Sequence, residues 1–488
     1  MSEAAIPFSE TKAPESPDRL RRGALSLVDI SASTMANIGP AYSFYFSYGF
    51  IVVTAGLAAP LTIVAAAIAV ALLGNTLSEF SRAHPSTGGF ITFVGKTFGG
   101  TSAVTTALLC GAGYIIAISS VLAISGGFLS MTLQYYFNWN VPWIIFSVIL
   151  TTGAVFMMLR GVGVSTKLAG VFFGFEMLVL VVVSVVALVK NGSHLSAAPF
   201  EPSHITKGFS GLAAGFPLAV YLFIGWENSA ALAEETGNPR RNVPRAVFLS
   251  IALMAVGYLL FAYATTSGFA NNGTALGSSA IPFITVSHKA AATLAVFAYL
   301  AGLTSTMGVL IAACNSQARL IFNAGREGLL PRWIGKVQAP RQTPRNALFV
   351  FTGIAGLIIA VWCLLHLLGT HAQRGEMNPL TFFGESGTMG TILVLVVYFL
   401  SNLALPFYYR RYRPSEFRIV KHAVLPALGI VAVGIPMYYL VKPGQAAPLD
   451  WFPYLGLAII VLSVCYAVWL VRRDPGVGDR VGSIVADE

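Results

Sequence analysis

The chain has 488 residues, of which 56 % are hydrophobic and only 10 % are Asp, Glu, Lys or Arg. About a quarter of the residues in a soluble domain are charged, so this composition excludes a chain that folds around one water-facing core. The 48 glycines and 25 prolines follow no Gly-X-Y period, which excludes a collagen-like chain. The low polarity excludes a disordered chain. We therefore predict an integral membrane protein.

Twelve apolar runs are long enough to cross a bilayer, which takes about 20 residues. Their apolar residues are continuous rather than alternating, which predicts helices and not the strands of a barrel. The first 24 residues are polar and lack the apolar run and cleavage site of a signal peptide, so we expect no removed leader. The predicted spans are residues 25–53, 56–81, 100–136, 141–159, 165–189, 209–235, 246–268, 289–324, 346–369, 388–409, 423–441 and 451–472.

The basic residues predict which side of the membrane each loop occupies. Cytoplasmic loops carry an excess of Lys and Arg. If the spans alternate in direction, 25 of the 30 Lys and Arg residues fall on the side of the amino terminus, so we predict that both termini are cytoplasmic. This placement between apolar runs accounts for the net charge of +10 without a nucleic-acid surface. The opposite side holds Lys190, Lys207, Lys289, Arg374 and Lys442.

Two predicted spans contain helix-breaking residues at matching places. Gly39 and Pro40 interrupt the first span, and Gly225 interrupts the sixth, 186 residues after Gly39. Pro40 lacks a backbone N–H and clashes with the preceding turn, and glycine permits non-helical dihedral angles. Gly and Pro are also common in membrane helices generally, where neighbouring helices satisfy the freed backbone groups. Two matching breaks favour a secondary transporter, whose substrate site lies between paired interrupted helices.

The offset between the breaks also relates the third span to the eighth, which predicts that spans 1–5 and 6–10 form two repeats. Five spans per repeat is an odd number, so the second copy must be inverted in the membrane. The predicted organisation is a cytoplasmic amino-terminal tail (1–24), a first transmembrane repeat (25–189), a second repeat (209–409), two further helices (423–472) and a cytoplasmic carboxy-terminal tail (473–488).

Several local motifs accompany the breaks. They are Ile38-Gly39, Pro85-Ser-Thr-Gly-Gly-Phe90, Phe223-Ile-Gly-Trp-Glu227, Glu234-Glu-Thr-Gly-Asn-Pro-Arg-Arg-Asn-Val-Pro-Arg245, Asn315-Ser-Gln-Ala-Arg319 and Arg326-Glu-Gly-Leu-Leu-Pro331. With them, the chain beyond residue 24 resembles the amino acid-polyamine-organocation (APC) transporter superfamily, of the bacterial amino acid permease type. The resemblance implies an all-α membrane protein of twelve helices, with a five-plus-five inverted repeat (LeuT-like fold) and broken helices 1 and 6. It also implies uptake or exchange of amino acids or amines by alternating access.

The resemblance further implies a substrate site between the opened helices 1 and 6. Amino-acid-specific members commonly carry Gly-Ser/Ala-Gly at the first break, where backbone amides hold the substrate carboxylate. This chain has Gly39-Pro40-Ala41, and since Pro40 has no N–H to donate, Ala41, Tyr42 and Ser43 are left as donors. The implied site residues are Ile38, Gly39, Pro40, Ala41, Tyr114, Tyr221, Phe223, Gly225, Trp226 and Glu227.

Two acids inside predicted spans are candidates for charge recognition and coupling. A charge at the bilayer centre costs roughly 2.5–3.5 kcal/mol on insertion scales, so an intramembrane acid indicates a pathway or a partner. Glu227 follows the second break, where it is placed to bind a substrate ammonium, to take up a proton, or to cap the second half-helix. Glu176 lies about halfway along span 5, where several proton-coupled relatives carry a Lys. We predict that Glu176 couples transport to protons; the alternative is a neutral Glu bonded to a neighbouring helix.

The predicted function is a secondary active transporter, a permease for an amino acid or related organic amine in the cell (inner) membrane, with proton symport. An amine or polyamine exchanger is one alternative. A sodium-coupled transporter is another, since Thr304, Ser305 and Thr306 in span 8 resemble the hydroxyl pair of a sodium site. A channel or a sensor on the same scaffold is the hypothesis from a different class. The sequence contains no HExxH, Walker or GxSxG motif, so we predict no metal, no cofactor and no enzyme activity.

Overall fold

The computed structural model describes residues 20, 22–338, 341–368 and 377–481. Most of the predicted amino-terminal tail (1–24), the end of the predicted carboxy-terminal tail (473–488) and Arg374 lie outside the described residues. Within the described ranges the regular secondary structure is helical, and the only β-type pairing consists of isolated bridges.

Eighteen α-helices follow one another along the described residues. In the first half of the chain they are α1 (Leu27–Ile38), α2 (Pro40–Ala55), α3 (Ala59–Ala83), α4 (Phe90–Phe98), α5 (Gly100–Phe137), α6 (Trp143–Leu159), α7 (Val162–Lys190), α8 (Phe209–Tyr221) and α9 (Asn228–Ala231). In the second half they are α10 (Pro239–Gly268), α11 (Gly273–Gly277), α12 (Pro282–Ala290), α13 (Ala292–Arg326), α14 (Arg345–Leu368), α15 (Pro379–Tyr412), α16 (Leu425–Val441), α17 (Phe452–Arg473) and α18 (Val477–Arg480).

Nine helical segments of the described residues are long and apolar enough to cross a membrane. Helices α6 and α8 are apolar but shorter, and the first predicted span is divided between α1 and α2. The chain is thus an all-helical, multi-pass membrane protein, and the total of twelve crossings stays a prediction. The nine segments are α3, α5, α7, α10, α13, α14, α15, Val420–Val441 and Leu449–Arg473.

Burial separates central helices from peripheral ones. In the most hydrophobic stretches of α5 and α15, 72 % of the residues are buried, whereas the shares are 22 % in Val420–Val441 and 17 % in Leu449–Arg473. In a soluble domain such exposed apolar helices would be unfavourable, but in a bilayer the lipid tails cover them. Helices α5 and α15 therefore form the centre of the bundle, and α16 and α17 form its edge.

Two helices begin earlier than the predicted apolar runs. Helix α10 begins at Pro239 rather than near residue 246, and α15 begins at Pro379 rather than near residue 388. Proline is favoured in the first turn of a helix, because its missing N–H has no partner there. A hydropathy scan ends where polar and charged residues begin, whereas the helix continues through them, so hydrophobicity alone could not predict these starts.

The first predicted span is divided at Gly39. Helix α1 ends at Ile38, Gly39 adopts φ 62° and ψ 76°, and α2 begins at Pro40. These angles are in the left-handed region, which glycine enters without a steric penalty. Pro40 occupies the first position of α2, where its missing N–H costs no hydrogen bond. Gly39 therefore makes the interruption, and Pro40 restarts the helix.

The sixth predicted span, residues 209–235, is divided into short pieces. Helix α8 ends at Tyr221, turns cover residues 222–227, and α9 covers only Asn228–Ala231. Gly225 has a φ of 109°, again in the region that glycine tolerates best. Backbone groups in the turns are released from a regular helical ladder and are available to other partners.

Candidate functional site

The two interruptions touch each other. Asn37 Nδ2 donates a hydrogen bond to the Gly225 carbonyl oxygen at 3.4 Å. A Cβ atom on Gly225 would lie 2.9 Å from the Asn37 carbonyl carbon and 3.0 Å from its oxygen, so the two backbones approach more closely than a side chain at position 225 permits. On the other face of the first interruption, a Cβ atom on Gly39 would overlap Val309 of α13. Gly225 is therefore required for the close approach to Asn37, and Gly39 for the packing of the first interruption against α13.

Glu227 lies at this junction and is held from two sides. Its Oε1 accepts a hydrogen bond from the Tyr114 hydroxyl of α5 at 2.9 Å, and its Oε2 accepts one from the Gly225 N–H at 3.2 Å. The residue is 7 % exposed. Both donors are uncharged groups, so the carboxylate caps the opened segment and retains the capacity to bind a cation.

Glu176 of α7 reaches the other interruption. Its Oε2 accepts a hydrogen bond from the Ala41 N–H at 3.1 Å, and its side chain is fully buried. Ala41 is in the first turn of α2, where N–H groups have no partner within the helix and negative charge is favoured. The second carboxylate oxygen, Oε1, has no hydrogen-bond partner among the described residues.

Protein groups also occupy the next amides of α2. The Tyr42 N–H donates to Ser305 Oγ of α13 at 3.0 Å, and the Ser43 N–H donates to the Gly39 carbonyl oxygen at 2.7 Å. Pro40 has no N–H. Each amide that the sequence predicted as a donor to a substrate carboxylate therefore has an internal acceptor in this conformation.

Two of the predicted aromatic site residues pack against neighbouring helices. Phe223 lies edge-to-face with Tyr258 of α10, with ring centroids 5.3 Å apart. Trp226 packs against Tyr398 of α15 at 5.7 Å. Phe223 and Trp226 are both buried, so their rings hold the opened segment between α10 and α15.

An aromatic layer separates the junction from a cavity on one side. The Tyr42 and Tyr221 hydroxyls are 3.1 Å apart, and Phe383 of α15 lies edge-to-face with the two rings at 5.6 and 5.7 Å. Beyond this layer, α8, α15, α16 and the end of α2 line a cavity of about 330 Å³, whose lining includes Thr54 and Lys442. Small-molecule sites begin at about this volume, and the aromatic layer closes the inner end of the cavity.

On the other side of the junction the space is nearly closed. Asn37, Tyr114, Glu227 and Gln317 contribute to the lining of a cavity of only about 10 Å³. A cavity of this size holds at most about one water molecule. Among the described residues, the space on this side of the junction is therefore too small for an amino acid in this conformation.

Two buried ion pairs lie on the same side of the junction as this small cavity. Arg319 of α13 pairs with Glu235 at 2.6 Å, with side-chain exposures of 3 % and 1 %, and Arg326 pairs with Glu234 at 2.8 Å. The Glu234 N–H donates to Thr87 Oγ1 at 3.3 Å. Four of the sequence motifs therefore meet here: those that begin at residues 85, 234, 315 and 326.

Three residues at the site were not predicted as substrate-binding from the sequence. Asn37 carried a usable signal, because it is a polar residue inside an apolar run next to a break. Phe383 carried none, since it is one aromatic residue among many. Ser305 was considered only for a sodium site, whereas the structure places its hydroxyl on the Tyr42 N–H.

Comparisons with known proteins agree with this architecture. Residues 25–480 match the amino acid permease family. The branched-chain amino acid permease of Bacillus subtilis is 21 % identical over 430 residues, which are 84 % of this chain and 86 % of that protein. The Asc-type amino acid transporter 1 of Mus musculus is 30 % identical over 302 residues, which are 58 % of this chain and 54 % of that protein.

The fold also resembles a solved transporter. Mhp1, a nucleobase-cation-symport-1 family transporter solved in a closed conformation with bromovinylhydantoin bound, superposes with a TM-score of 0.54. The superposition covers 96 % of this chain and 99 % of that chain at 14 % identity, so it shows a common LeuT-like fold. Because the family match extends from residue 25 to residue 480, the chain belongs to the amino acid permease family, whose members are membrane transporters and not enzymes.

Proposed function

We propose that this permease moves an amino acid or a related organic amine across the cell membrane by alternating access, with the substrate bound where the two interrupted helices meet. The observation that carries the proposal is the contact of Asn37 with Gly225, flanked by Glu176 on one side and Glu227 on the other. Half-helix ends at the membrane midplane present free N–H and C=O groups to a polar substrate.

Glu227 is the proposed partner of the substrate ammonium. It is buried, it is at the junction, and its observed hydrogen bonds come from the Tyr114 hydroxyl and the Gly225 N–H. A buried carboxylate that is held only by neutral donors gains most from a cationic ligand. We assign the backbone from Ile38 to Ala41 to the other face of the substrate.

The aromatic layer is the proposed outer gate. Tyr42, Tyr221 and Phe383 stand between the junction and the cavity of about 330 Å³, so substrate that enters from the cavity must pass them. Phe223 and Trp226 hold the opened segment between its neighbours and act on the substrate by positioning that segment.

The proposed topology has twelve spans and two cytoplasmic termini. The excess of Lys and Arg on one side supports this orientation. The interrupted spans belong to two inverted repeats, residues 25–189 and 209–409, and the sparsely buried α16 and α17 are the two additional helices. With this orientation the cavity beyond Phe383 faces outward and the buried ion pairs of Arg319 and Arg326 lie toward the cytoplasm.

The proposed coupling ion is the proton, carried by Glu176. Support comes from its full burial and from the carboxylate oxygen that has no hydrogen-bond partner in the described residues, because a proton removes the cost of that unpaired charge. Of the hydroxyls considered for a sodium site, that of Ser305 already accepts the Tyr42 N–H at 3.0 Å, which makes it a weaker ligand for a cation. Thr304 Oγ1 donates to the Leu300 carbonyl oxygen and Thr306 Oγ1 to that of Leu303, at 3.1 and 2.9 Å.

An amine or polyamine exchanger is the second candidate. Pro40 offers no N–H, and the Ala41 N–H already has a carboxylate acceptor, Glu176. Both observations favour a substrate that needs no carboxylate site at the first interruption. Such a substrate would use Glu227 as its main recognition charge.

A thermal-shift panel on the purified permease in detergent tests the proposed function. The panel contains the twenty amino acids, their decarboxylated amines and three polyamines, each at two pH values. A ligand that binds only the folded protein raises its apparent melting temperature by mass action. We expect one group of similar amino acids to stabilise the protein. Stabilisation by amines alone would move the assignment to the exchanger, and no stabilisation by any compound would contradict both candidates.

A further inference from the structure

The first turn of α2 is already occupied by a carboxyl group that belongs to the protein. The Glu176 carboxylate accepts the Ala41 N–H at 3.1 Å, at the helix end where the peptide dipoles favour negative charge. A hydrogen bond to an ionised acceptor is about twice as strong as a bond between neutral groups. A substrate carboxylate can therefore bind the Ala41 N–H only if it displaces Glu176 or if the hydrogen bond between Glu176 and Ala41 is first weakened.

One oxygen of Glu176 is available to receive a proton. Oε2 is bonded to Ala41, whereas Oε1 is buried and has no hydrogen-bond partner in the described residues. Ser305 Oγ accepts the Tyr42 N–H, the amide that follows Ala41 in α2. Protonation at Oε1 removes the charge that holds the Ala41 N–H and leaves a weaker, neutral acceptor.

We propose that Glu176 is a built-in competitor for the Ala41 N–H: ionised, it occupies this donor, and protonated, it yields the donor to the carboxylate of an amino acid substrate. This inference rests on the proposed function, since it assumes that substrate binds at the interrupted helices. It adds to that function, because it names the substrate carboxylate as the group through which proton binding and substrate binding are linked. Because Pro40 has no N–H, the Ala41 N–H is the first backbone donor of α2, and Glu176 and the substrate carboxylate compete for it.

Glu176 forms no ion pair with any basic side chain that the structure describes, so no such charge takes over the role of the proton. Two titratable groups interact with it electrostatically, Tyr45 of α2 and Tyr258 of α10. Their hydroxyls donate to the carbonyl oxygens of Ala298 and Leu222 at 3.0 and 2.8 Å. The described charged side chains of α7 and of the helices packed against it lie toward helix ends: Asp29, Lys167, Lys190, Arg240, Arg241, Arg245, His288, Lys289, Arg319 and Arg326.

The sign of the pH effect follows from the competition. Acid protonates Glu176, frees the Ala41 N–H and strengthens binding of an amino acid, and alkali does the reverse. Linkage to a single proton changes the affinity by at most about tenfold per pH unit. An amine without a carboxylate makes no use of the Ala41 N–H, so its affinity is not expected to follow the titration of Glu176.

The test measures binding to the purified full-length permease by titration calorimetry. The probes are L-leucine and 3-methylbutylamine, which has the same side chain without the carboxylate, or the corresponding pair for the amino acid that the thermal-shift panel selects. Titrations in two buffers of different ionisation enthalpy at each pH count the protons taken up. We expect amino acid affinity to fall as pH rises, by up to about tenfold per unit, with uptake of about one proton per amino acid.

Glu176→Gln is the diagnostic variant. A neutral amide holds the Ala41 N–H less strongly, so we expect amino acid affinity to become independent of pH, to equal or exceed the wild-type affinity at alkaline pH, and to occur without proton uptake. Glu385→Gln is the matched control. Glu385 is also a membrane-helix acid, but its Oε2 bonds Trp362 Nε1 at 2.8 Å, away from both interruptions, so the wild-type pH dependence should persist.

Each outcome bears on one of the two proposals. Two outcomes overturn the competition and leave the proposed function standing. One is that the wild type binds the amino acid without proton uptake; the other is that Glu176→Gln binds it with an unchanged pH dependence. Binding of amines but of no amino acid overturns the competition, because such substrates bring no carboxylate to the Ala41 N–H. Failure of every amino acid and every amine in the panel to bind the folded wild type contradicts the proposed function itself. If Glu176→Gln does not fold, the proton count on the wild-type protein still decides, because zero uptake across the pH range refutes the inference.

Discussion

At the scale of single residues, Glu227 carries the proposed recognition of the substrate amine. We expect Glu227→Gln to weaken amino acid binding about ten- to hundredfold, because hydrogen bonds to charged groups contribute roughly 1.5–3 kcal/mol. The variant keeps one oxygen acceptor, and its amide nitrogen leaves either the Tyr114 hydroxyl or the Gly225 N–H without an acceptor, so we expect the melting temperature of the empty protein to fall slightly. Calorimetric titration with the amino acid selected by the panel measures the effect. An unchanged affinity would remove Glu227 from the site.

Tyr114→Phe provides the accompanying control. It removes the hydroxyl that donates to Glu227 at 2.9 Å while leaving the carboxylate charge in place. We therefore expect a smaller loss of affinity than for Glu227→Gln, of the order of the roughly 1 kcal/mol of a neutral hydrogen bond. A larger loss for Tyr114→Phe would mean that position 114, and not the charge at 227, dominates recognition.

The sequence predicts the charged residues of the site better than their partners. Glu176 and Glu227 stand out because an acid inside an apolar run is costly in a membrane and therefore indicates a pathway or a partner. The hydrogen bonds from Ala41 and Tyr114 to these acids join residues that are 135 and 113 positions apart in the chain. A single sequence does not show which of its distant residues come into contact. The roles of Glu176 and Glu227 stay predictions until they are tested.

At the scale of the helices, the interruptions depend on two glycines. We expect Gly225→Ala to lower the melting temperature and abolish transport, because alanine at φ 109° is strained and its Cβ would meet Asn37 at 2.9 Å. Gly39→Ala should behave alike. Gly353→Ala in α14 is the matched control, since no atom lies within 4 Å of a Cβ there and a helical Ala is neutral or stabilising. Unimpaired transport by Gly225→Ala would contradict the required close contact.

The positions of the breaks follow from local chemistry, but their extent does not. Gly39 and Gly225 signal their dihedral freedom in the sequence. The end of α8 at Tyr221, four positions before Gly225, does not, because the turns at residues 222–227 are maintained by contacts with Asn37, Tyr114 and Tyr258. Pro40 was expected to disrupt the preceding turn, and it instead begins α2.

At the scale of the whole molecule, two buried ion pairs join residues 234–235 to α13. We expect Arg319→Gln to lower the free energy of unfolding by about 3–5 kcal/mol, because it leaves the buried carboxylate of Glu235 without its cation. Thermal unfolding in detergent measures the change. Arg413→Gln is the matched control: its pair with Glu416 is largely open to solvent and contributes about 0–1 kcal/mol, and its bond to the Ala83 carbonyl oxygen adds about 1 kcal/mol, so we expect a loss of at most about 2 kcal/mol. Equal effects of the two substitutions would contradict a structural role for the buried pair.

Composition and charge placement predict the class of the molecule, because the cost of burying charge in lipid acts on every span at once. They do not predict which helices are central. Helices α15 and α17 are both strongly apolar, yet 72 % of one and 17 % of the other are buried in their most hydrophobic stretches. That difference arises from packing between helices that are far apart in the chain, which the hydropathy of a single helix does not predict.

The most direct test of proton-coupled transport is uptake by the permease in proteoliposomes, with the medium more acidic than the lumen and the amino acid selected by the panel as labelled substrate. We expect the wild type to accumulate the amino acid above its external concentration and to lose this accumulation when a protonophore is added. Glu176→Gln should exchange the amino acid across the membrane without accumulating it. Accumulation by Glu176→Gln equal to that of the wild type would contradict proton coupling through Glu176.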